Sequence, residues 1–171
     1  MANRHLVIIP TYNERDTLPL VVAGLFEHNQ NVDLLIVDDN SPDGTGEVAD
    51  ELASTDKRIS VLHRTAKDGL GRAYLAGFKY GFEKNYEFLI EMDADGSHRP
   101  QDLPKLIATD ADLVIGSRWV QGGRTENWPA SRILISRTGN LYTRLMLGTK
   151  LRDVTAGFRV YRASILKKIN L

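Results

Sequence analysis

Two aspartates one residue apart, Asp93 and Asp95, close the apolar run Phe88-Leu89-Ile90-Glu91-Met92 and lead into Gly96-Ser97-His98. Read as the end of a strand, positions i and i+2 share a side, so both carboxylates converge at the strand's C-terminal end. Open α/β sheets bind ligands along that edge. Like charges held so close call for a cation between them. Hard, oxygen-coordinated Mg2+ or Mn2+, completed by substrate phosphates, is the usual answer. The plain alternative is an acidic turn with a solvated Asp-Gly, since a D-x-D tripeptide is common by chance. The rest of the chain favours the metal.

Polar clusters follow two other apolar runs, at Pro10-Thr11-Tyr12-Asn13-Glu14 and at Asp38 to Gly44. On parallel strands all three clusters lie along one edge and share a cleft. Tyr12 can stack on a nucleobase while Asp39 and Glu14 accept hydrogen bonds; alone, Tyr12 reads as a surface tyrosine. Asp39-x-Ser41-x-Asp43-Gly44 also resembles a calcium loop, but a strand enters it and its twelfth place is Asp50 rather than glutamate. Lys67-Asp68-Gly69-Leu70-Gly71-Arg72 combines a turn with a helix start, either an anion site or a means of tight helix packing. Arg118, in Gly116-Ser117-Arg118-Trp119, would reach the aspartates' edge and can hold a phosphate. Gln121-Gly122-Gly123-Arg124 reads as a mobile loop. From about Trp128 to Leu147, apolar residues interleave with Arg132, Arg137 and Arg144, which suits a helix in a membrane interface or one covering the sheet. Asp153-Val154-Thr155-Ala156-Gly157-Phe158-Arg159 puts an acid, a glycine turn and a cation close together. No catalytic histidine is expected: His63 reads as strand packing, and His98 at most supports the aspartates from behind.

The elements that must position these groups follow from periodicity. Strands are expected at His5–Ile9 (ended by Pro10), Val32–Val37, Ile59–His63, Phe88 onward, and Asp112–Ile115. Helices are expected at 16–28, 45–54, 69–84 and 100–108. Strands alternating with helices at this spacing imply an α/β fold with a parallel sheet. The first strand-to-helix turn lacks the glycines of a dinucleotide site, and no P-loop sequence is present. The 171 residues suit one domain, 42% apolar and 26% charged. Absence of cysteine excludes disulfides and thiolate metal sites. The N-terminus is too short before its first strand for a signal peptide, and no apolar run approaches a membrane span. Charge is lopsided. Residues 1–115 hold 11 Lys and Arg against 20 Asp and Glu, whereas 116–171 hold 11 against 2. That pattern suits an acidic half holding a metal and a basic half holding an anion.

Taken together, Pro-Thr-Tyr-Asn-Glu at 10–14, Val-Asp-Asp-Asn-Ser-Pro-Asp-Gly-Thr at 37–45, Gly-Leu-Gly at 69–71, Met-Asp-Ala-Asp-Gly-Ser-His at 92–98, Gly-Ser-Arg at 116–118 and Asp-Val-Thr-Ala-Gly-Phe-Arg at 153–159 resemble family 2 glycosyltransferases. The likeness is to the polyprenyl (dolichyl) phosphate mannose synthases. It implies a GT-A fold, mostly parallel with helices on both faces, and an inverting transfer of mannose from GDP-mannose to a polyprenyl phosphate. It implies a nucleoside site lined by Pro10, Tyr12, Glu14, Val37 and Asp39. Asp93 and Asp95 would hold Mg2+ or Mn2+ on the diphosphate, with Ala94 contributing backbone. Arg118 and Arg132 would grip phosphates of donor and acceptor, making Asp95 and Arg118 the expected catalytic pair. The expected setting is peripheral, on an anionic membrane surface at the cytoplasmic face, with no nucleic-acid partner. Ser97 stands where several relatives place a glutamine ligand. Relatives also continue past the position of Leu171, so a C-terminally truncated domain is expected. Alternatives are the same chemistry with a UDP-sugar, or a non-catalytic nucleotide- or membrane-binding fragment. The Q-x-x-R-W motif of processive synthases is absent.

Overall fold

The computed structural model describes residues 4–123, 125 and 129–169. Arg124 of the expected loop and Trp128 at the expected helix start lie outside them. The elements run β1 (His5–Thr11), α1 (Leu18–His28), β2 (Val32–Asp38), α2 (Thr45–Thr55), β3 (Ile59–His63), α3 (Leu70–Glu83) and β4 (Phe88–Glu91). A 3-10 turn (Pro100–Asp102) and α4 (Leu103–Ile107) follow, then β5 (Leu113–Ile115), α5 (Ala130–Leu147), β6 (Arg159–Arg162) and α6 (Ala163–Leu166).

The sheet order is β3-β2-β1-β4-β6-β5. Strands β1 to β4 are mutually parallel, and β6 runs antiparallel to both β4 and β5. The parallel α/β expectation therefore holds for most of the sheet, with β6 as an addition. Both faces are covered, which explains the continuous apolar strands. Val7, Ile9, Leu34, Ile36 and Ile90 face a layer with α1, α2 and α4. Their neighbours Leu6, Ile8, Leu35 and Leu89 face α3 and α6. Helix α3 approaches closely because Gly77 and Gly81 face the sheet; a Cβ at Gly81 would overlap Leu89.

Pro10 does not end β1, which continues to Thr11. Pairing with β4 stops at Ile8↔Glu91, while pairing with β2 continues to Thr11↔Asp38. Proline's missing N–H costs nothing where a neighbour has already left. The departure of β4 opens a cleft where the strand order reverses, between β1 and β4.

Candidate functional site

The carboxylate loop begins where β4 ends. Glu91 is the last strand residue, so Asp93 and Asp95 sit in the following turn and the strand pleat does not align them. Burial still alternates: Met92 and Ala94 point into the core, Asp93 is partly exposed at the rim and Asp95 is exposed. Gly96 has φ +73°, a left-handed turn that favours glycine. Asp95 Oδ1 accepts from the Ser97 amide at 2.9 Å, fixing the turn.

Asp93 is held from three sides. The Tyr74 hydroxyl, on α3, donates to its Oδ1 at 2.9 Å. Burial and then the Asp93 charge push the Tyr74 pKa far up, so this phenol remains a donor. The Asp93 amide donates to His98 Nδ1 at 3.0 Å, which leaves the neutral ring's proton on Nε2, 3.5 Å from Asp93 Oδ2. Burial lowers the His98 pKa against the opposing pull of Asp93 and Asp95. The imidazole stacks on Phe158 at 5.1 Å. Gly157 forms the third wall: a Cβ there would stand 3.0 Å from Asp93 Oδ2. Sequence reasoning missed Tyr74 and Gly157 as parts of this site. Tyr74, Phe78 and Phe82 recur at helical spacing, a pattern that signals only a packed helix face.

By donor type Asp93 and Asp95 would suit a hard divalent cation, while among the described residues no group of three His, Cys, Asp or Glu is placed to hold a metal. Such a site suits an ion whose remaining positions go to diphosphate oxygens and water.

On the β1–β2 flank, Tyr12 faces the cleft with the Lys67 ammonium 3.8 Å from its ring centre. Asp39 is buried and bound to Arg64 at 2.6 Å, a partner the sequence did not reveal. Glu14 receives a 2.7 Å hydrogen bond from the Thr17 hydroxyl, while its amide donates to Thr45. Pro10 belongs to the strand beneath them. Val37 is fully buried in the α3 layer, so only its backbone is left to line a nucleoside. The calcium-loop reading also meets a structural answer. Asp43 is spent on Thr45 and the Arg15 amide, and Asp38 on Thr11 and Ser41. At Gly69 and Gly71 an added Cβ would meet nothing, so neither is there for close packing, and Gly69, at φ +92°, serves the turn.

On the β5–β6 flank, Arg118 is engaged by a fully buried Asp153. Its Nε donates at 2.8 Å and a terminal nitrogen at 2.6 Å, with a further bond to Thr155. The expected phosphate grip is thus a guanidinium whose one edge already ties two loops together. Arg159 pairs with Glu91 rather than with Asp153. Arg132 lies on α5, in its first turn. His63 is exposed at the end of β3 and bonded to Asp50 at 3.0 Å, so it is not strand packing.

Asp93 and Asp95 stand beside the switch point at the carboxyl edge of a mostly parallel sheet, the place where open α/β sheets take their ligands. Residues 6–170 match the model of glycosyl transferase family 2, and the chain belongs to that family. It is 56% identical over 98% of its length to an undecaprenyl-phosphate mannosyltransferase of Micrococcus luteus. It is 55% identical over 98% to a polyprenol monophosphomannose synthase of Mycolicibacterium smegmatis. The chain spans 70% and 65% of the lengths of these two relatives. Among solved structures, a mannosyltransferase from Pyrobaculum calidifontis in complex with GDP-Man and Mn2+ shares the fold. Its TM-score is 0.67 at 17% identity, covering 97% of this chain and 46% of that one. The fold is GT-A.

Proposed function

We propose that this chain transfers mannose from GDP-mannose to a polyprenyl phosphate, inverting the anomeric carbon to give a β-mannosyl phosphate. The observation that carries the reading is the braced carboxylate loop at the switch point, in a chain more than half identical to two enzymes named for mannosyl transfer to such lipids. Tyr12, Glu14 and Asp39, over the floor of Pro10 and Val37, form the nucleoside side, and Arg64 beside Asp39 adds a donor to the acceptors there. Asp93 and Asp95 would hold Mg2+ or Mn2+, which when bound neutralises charge on the leaving diphosphate. Tyr74, His98 and Gly157 keep Asp93 in place for that task. Arg118 positions the loop after β5, and Arg132 would grip the acceptor's phosphate.

The acceptor needs no general base. A phosphate monoester is largely dianionic at neutral pH, with a second pKa of about 6. The protein's work is therefore alignment and charge neutralisation. Among the described residues no helix is long and apolar enough to cross a membrane. The exposed Leu134, Ile135, Leu145 and Met146 of α5 instead suit peripheral attachment to an anionic membrane, at the cytoplasmic face.

The test is a radiolabelled transfer assay. GDP-mannose with a short polyprenyl phosphate should give an organic-extractable product. UDP-glucose as the only productive donor would transfer the reading to the UDP-sugar alternative.

A further inference from the structure

Arg159 opens β6 and binds back onto the chain just before it. Its Nε donates to the Ala156 carbonyl at 2.7 Å, and one terminal nitrogen donates to the Val154 carbonyl at 2.9 Å. The other terminal nitrogen donates to the Tyr161 hydroxyl at 3.2 Å and stands 3.8 Å from Glu91. That hydroxyl in turn donates to Glu91 at 3.1 Å. One guanidinium therefore grips two carbonyls of a single turn and is anchored at the end of β4. Its planarity matters, because a rigid fork fixes the directions of the groups it binds and an ammonium does not.

The turn so held is where the two flanks of the site meet. At its start, Asp153 accepts from the Arg118 amide and guanidinium in the loop after β5. Next to it, the Val154 amide donates at 2.7 Å to Asn140, the buried residue of α5. At its end, Gly157 abuts Asp93 and His98, and Phe158 stacks on the His98 ring. The Phe158 carbonyl then accepts from the Gly116 amide at 2.8 Å, where β5 has just ended. The Val154 and Ala156 carbonyls lie between these two sets of contacts, so their placement sets the path of the backbone from the clasp to the wall.

We infer that Arg159 is a positioning residue for both flanks at once. By holding the Val154 and Ala156 carbonyls it keeps the Gly157 wall against Asp93 and the Asp153 clasp on Arg118. Release of the turn loosens both together, whereas the nucleoside flank, built on β1 and β2, keeps its geometry. On the donor and acceptor reading above, on which this consequence rests, one change weakens the metal and the acceptor while sparing the nucleoside.

The test uses two variants and a control. Arg159→Lys keeps a cation beside Glu91 but cannot fork onto both carbonyls. Arg159→Met combined with Glu91→Gln removes both charges, so no buried carboxylate is left without its cation. Arg162→Gln, on the same strand and paired with Asp110 and Asp112, controls for loss of a β6 arginine. Amide hydrogen exchange followed by NMR needs no ligand. In both Arg159 variants the Val154 amide, bonded to Asn140, and the Asp93 amide, bonded to His98, should exchange about tenfold faster or more, with β1 and β2 amides unchanged. Calorimetry should show Mn2+ binding about tenfold weaker in the presence of GDP, and GDP alone binding as in the parent. The KM for a short polyprenyl phosphate should rise several-fold. Arg162→Gln should match the parent in all of these.

Parent-like exchange at both amides in both Arg159 variants would overturn the inference. So would a lowered melting temperature with parent-like Mn2+ affinity and acceptor KM, which would reduce Arg159 to a purely structural arginine. A change confined to one flank would overturn the claim that one turn serves both, and full function in Arg159→Lys would overturn the role of the fork. Faster exchange and weaker Mn2+ binding, in a chain whose parent transfers no mannose, would leave Arg159 in its role and remove the donor and acceptor reading. Mannosyl transfer by the parent, with exchange and KM unaltered in the variants, would do the reverse.

Discussion

Replacing Gly157 with alanine should loosen the proposed metal site without replacing a ligand. The new methyl carbon would stand 3.0 Å from Asp93 Oδ2 and 3.3 Å from the His98 ring. Neither neighbour is a loose end, since Asp93 is held by Tyr74 and His98 is stacked on Phe158. The carboxylate must therefore give way by a few tenths of an ångström. Gly157 does not have positive φ, so alanine carries no backbone penalty and even gains roughly 0.4–1 kcal/mol from the unfolded state. Overpacking costs about 1–3 kcal/mol, leaving a net loss of about 1–2 kcal/mol. For a chain of this size each kcal/mol lowers Tm by roughly 2–4 °C. Losing a group that orients a metal ligand costs about 10–100-fold in metal affinity. Calorimetric titration of Mn2+ in the presence of GDP, alongside thermal melts, separates the two effects. A variant that melts within a few degrees of the parent but binds Mn2+ about tenfold or more weakly is the expected result. Unchanged Mn2+ affinity would refute the claim that the Gly157 wall fixes Asp93.

Asp95→Ala should abolish metal-dependent transfer and leave the melting temperature nearly unchanged, because Asp95 is exposed and its one described bond is to the Ser97 amide; normal turnover with Mg2+ would remove Asp95 from the site. Asp153→Asn should cost about 2–3 kcal/mol in urea unfolding, since a half-sheltered guanidinium loses its charged partner. Burial alone would push the Asp153 carboxyl up, but the Arg118 hydrogen bonds outweigh it and hold the pKa below 3.8. The stabilisation is therefore full above 3.8 and is lost as the pH falls through the lowered value. Asp153→Asn should flatten that part of the acid limb, and an unchanged limb would count against the pair. Gly81→Ala, which would drive a methyl into Leu89 between α3 and β4, should lower the urea midpoint at constant slope by the equivalent of about 1–3 kcal/mol. A midpoint equal to the parent's would show that α3 can shift outward freely.

The five strands with apolar runs were legible because each is rich in β-branched or leucine residues and bounded by turn chemistry. Strand β6 was not. Of its four residues only Val160 is buried, and Arg159 and Tyr161 owe their places to Glu91 on the neighbouring strand. No local pattern carries that information. The paired aspartates were rightly singled out for an incomplete reason: they belong to a turn, and their arrangement depends on a glycine far along the chain and on a tyrosine hydroxyl from α3. Asp39 and Arg118 show the same limit from the other side. Each was read as a group waiting for substrate, and each is bound by a partner, Arg64 or Asp153, 25 or 35 residues away. Charge asymmetry is coarser still: Arg118, Arg137, Arg144 and Arg152 of the basic half line one cavity, and no local pattern says which arginines meet there.

Ile115 and Arg159 are direct partners across β5 and β6, so the chain leaves the sheet at one point of the ladder and rejoins it at the adjacent one. The segment bearing α5 is a loop with a zipped neck. Lengthening, shortening or replacing it changes what greets the second substrate, yet the strands carrying the first substrate's site keep their registers. A graft made inside that neck, with the Asp153–Arg118 clasp and the Gly157 and Phe158 walls of Asp93 and His98 retained, offers a way to redirect acceptor choice one module at a time.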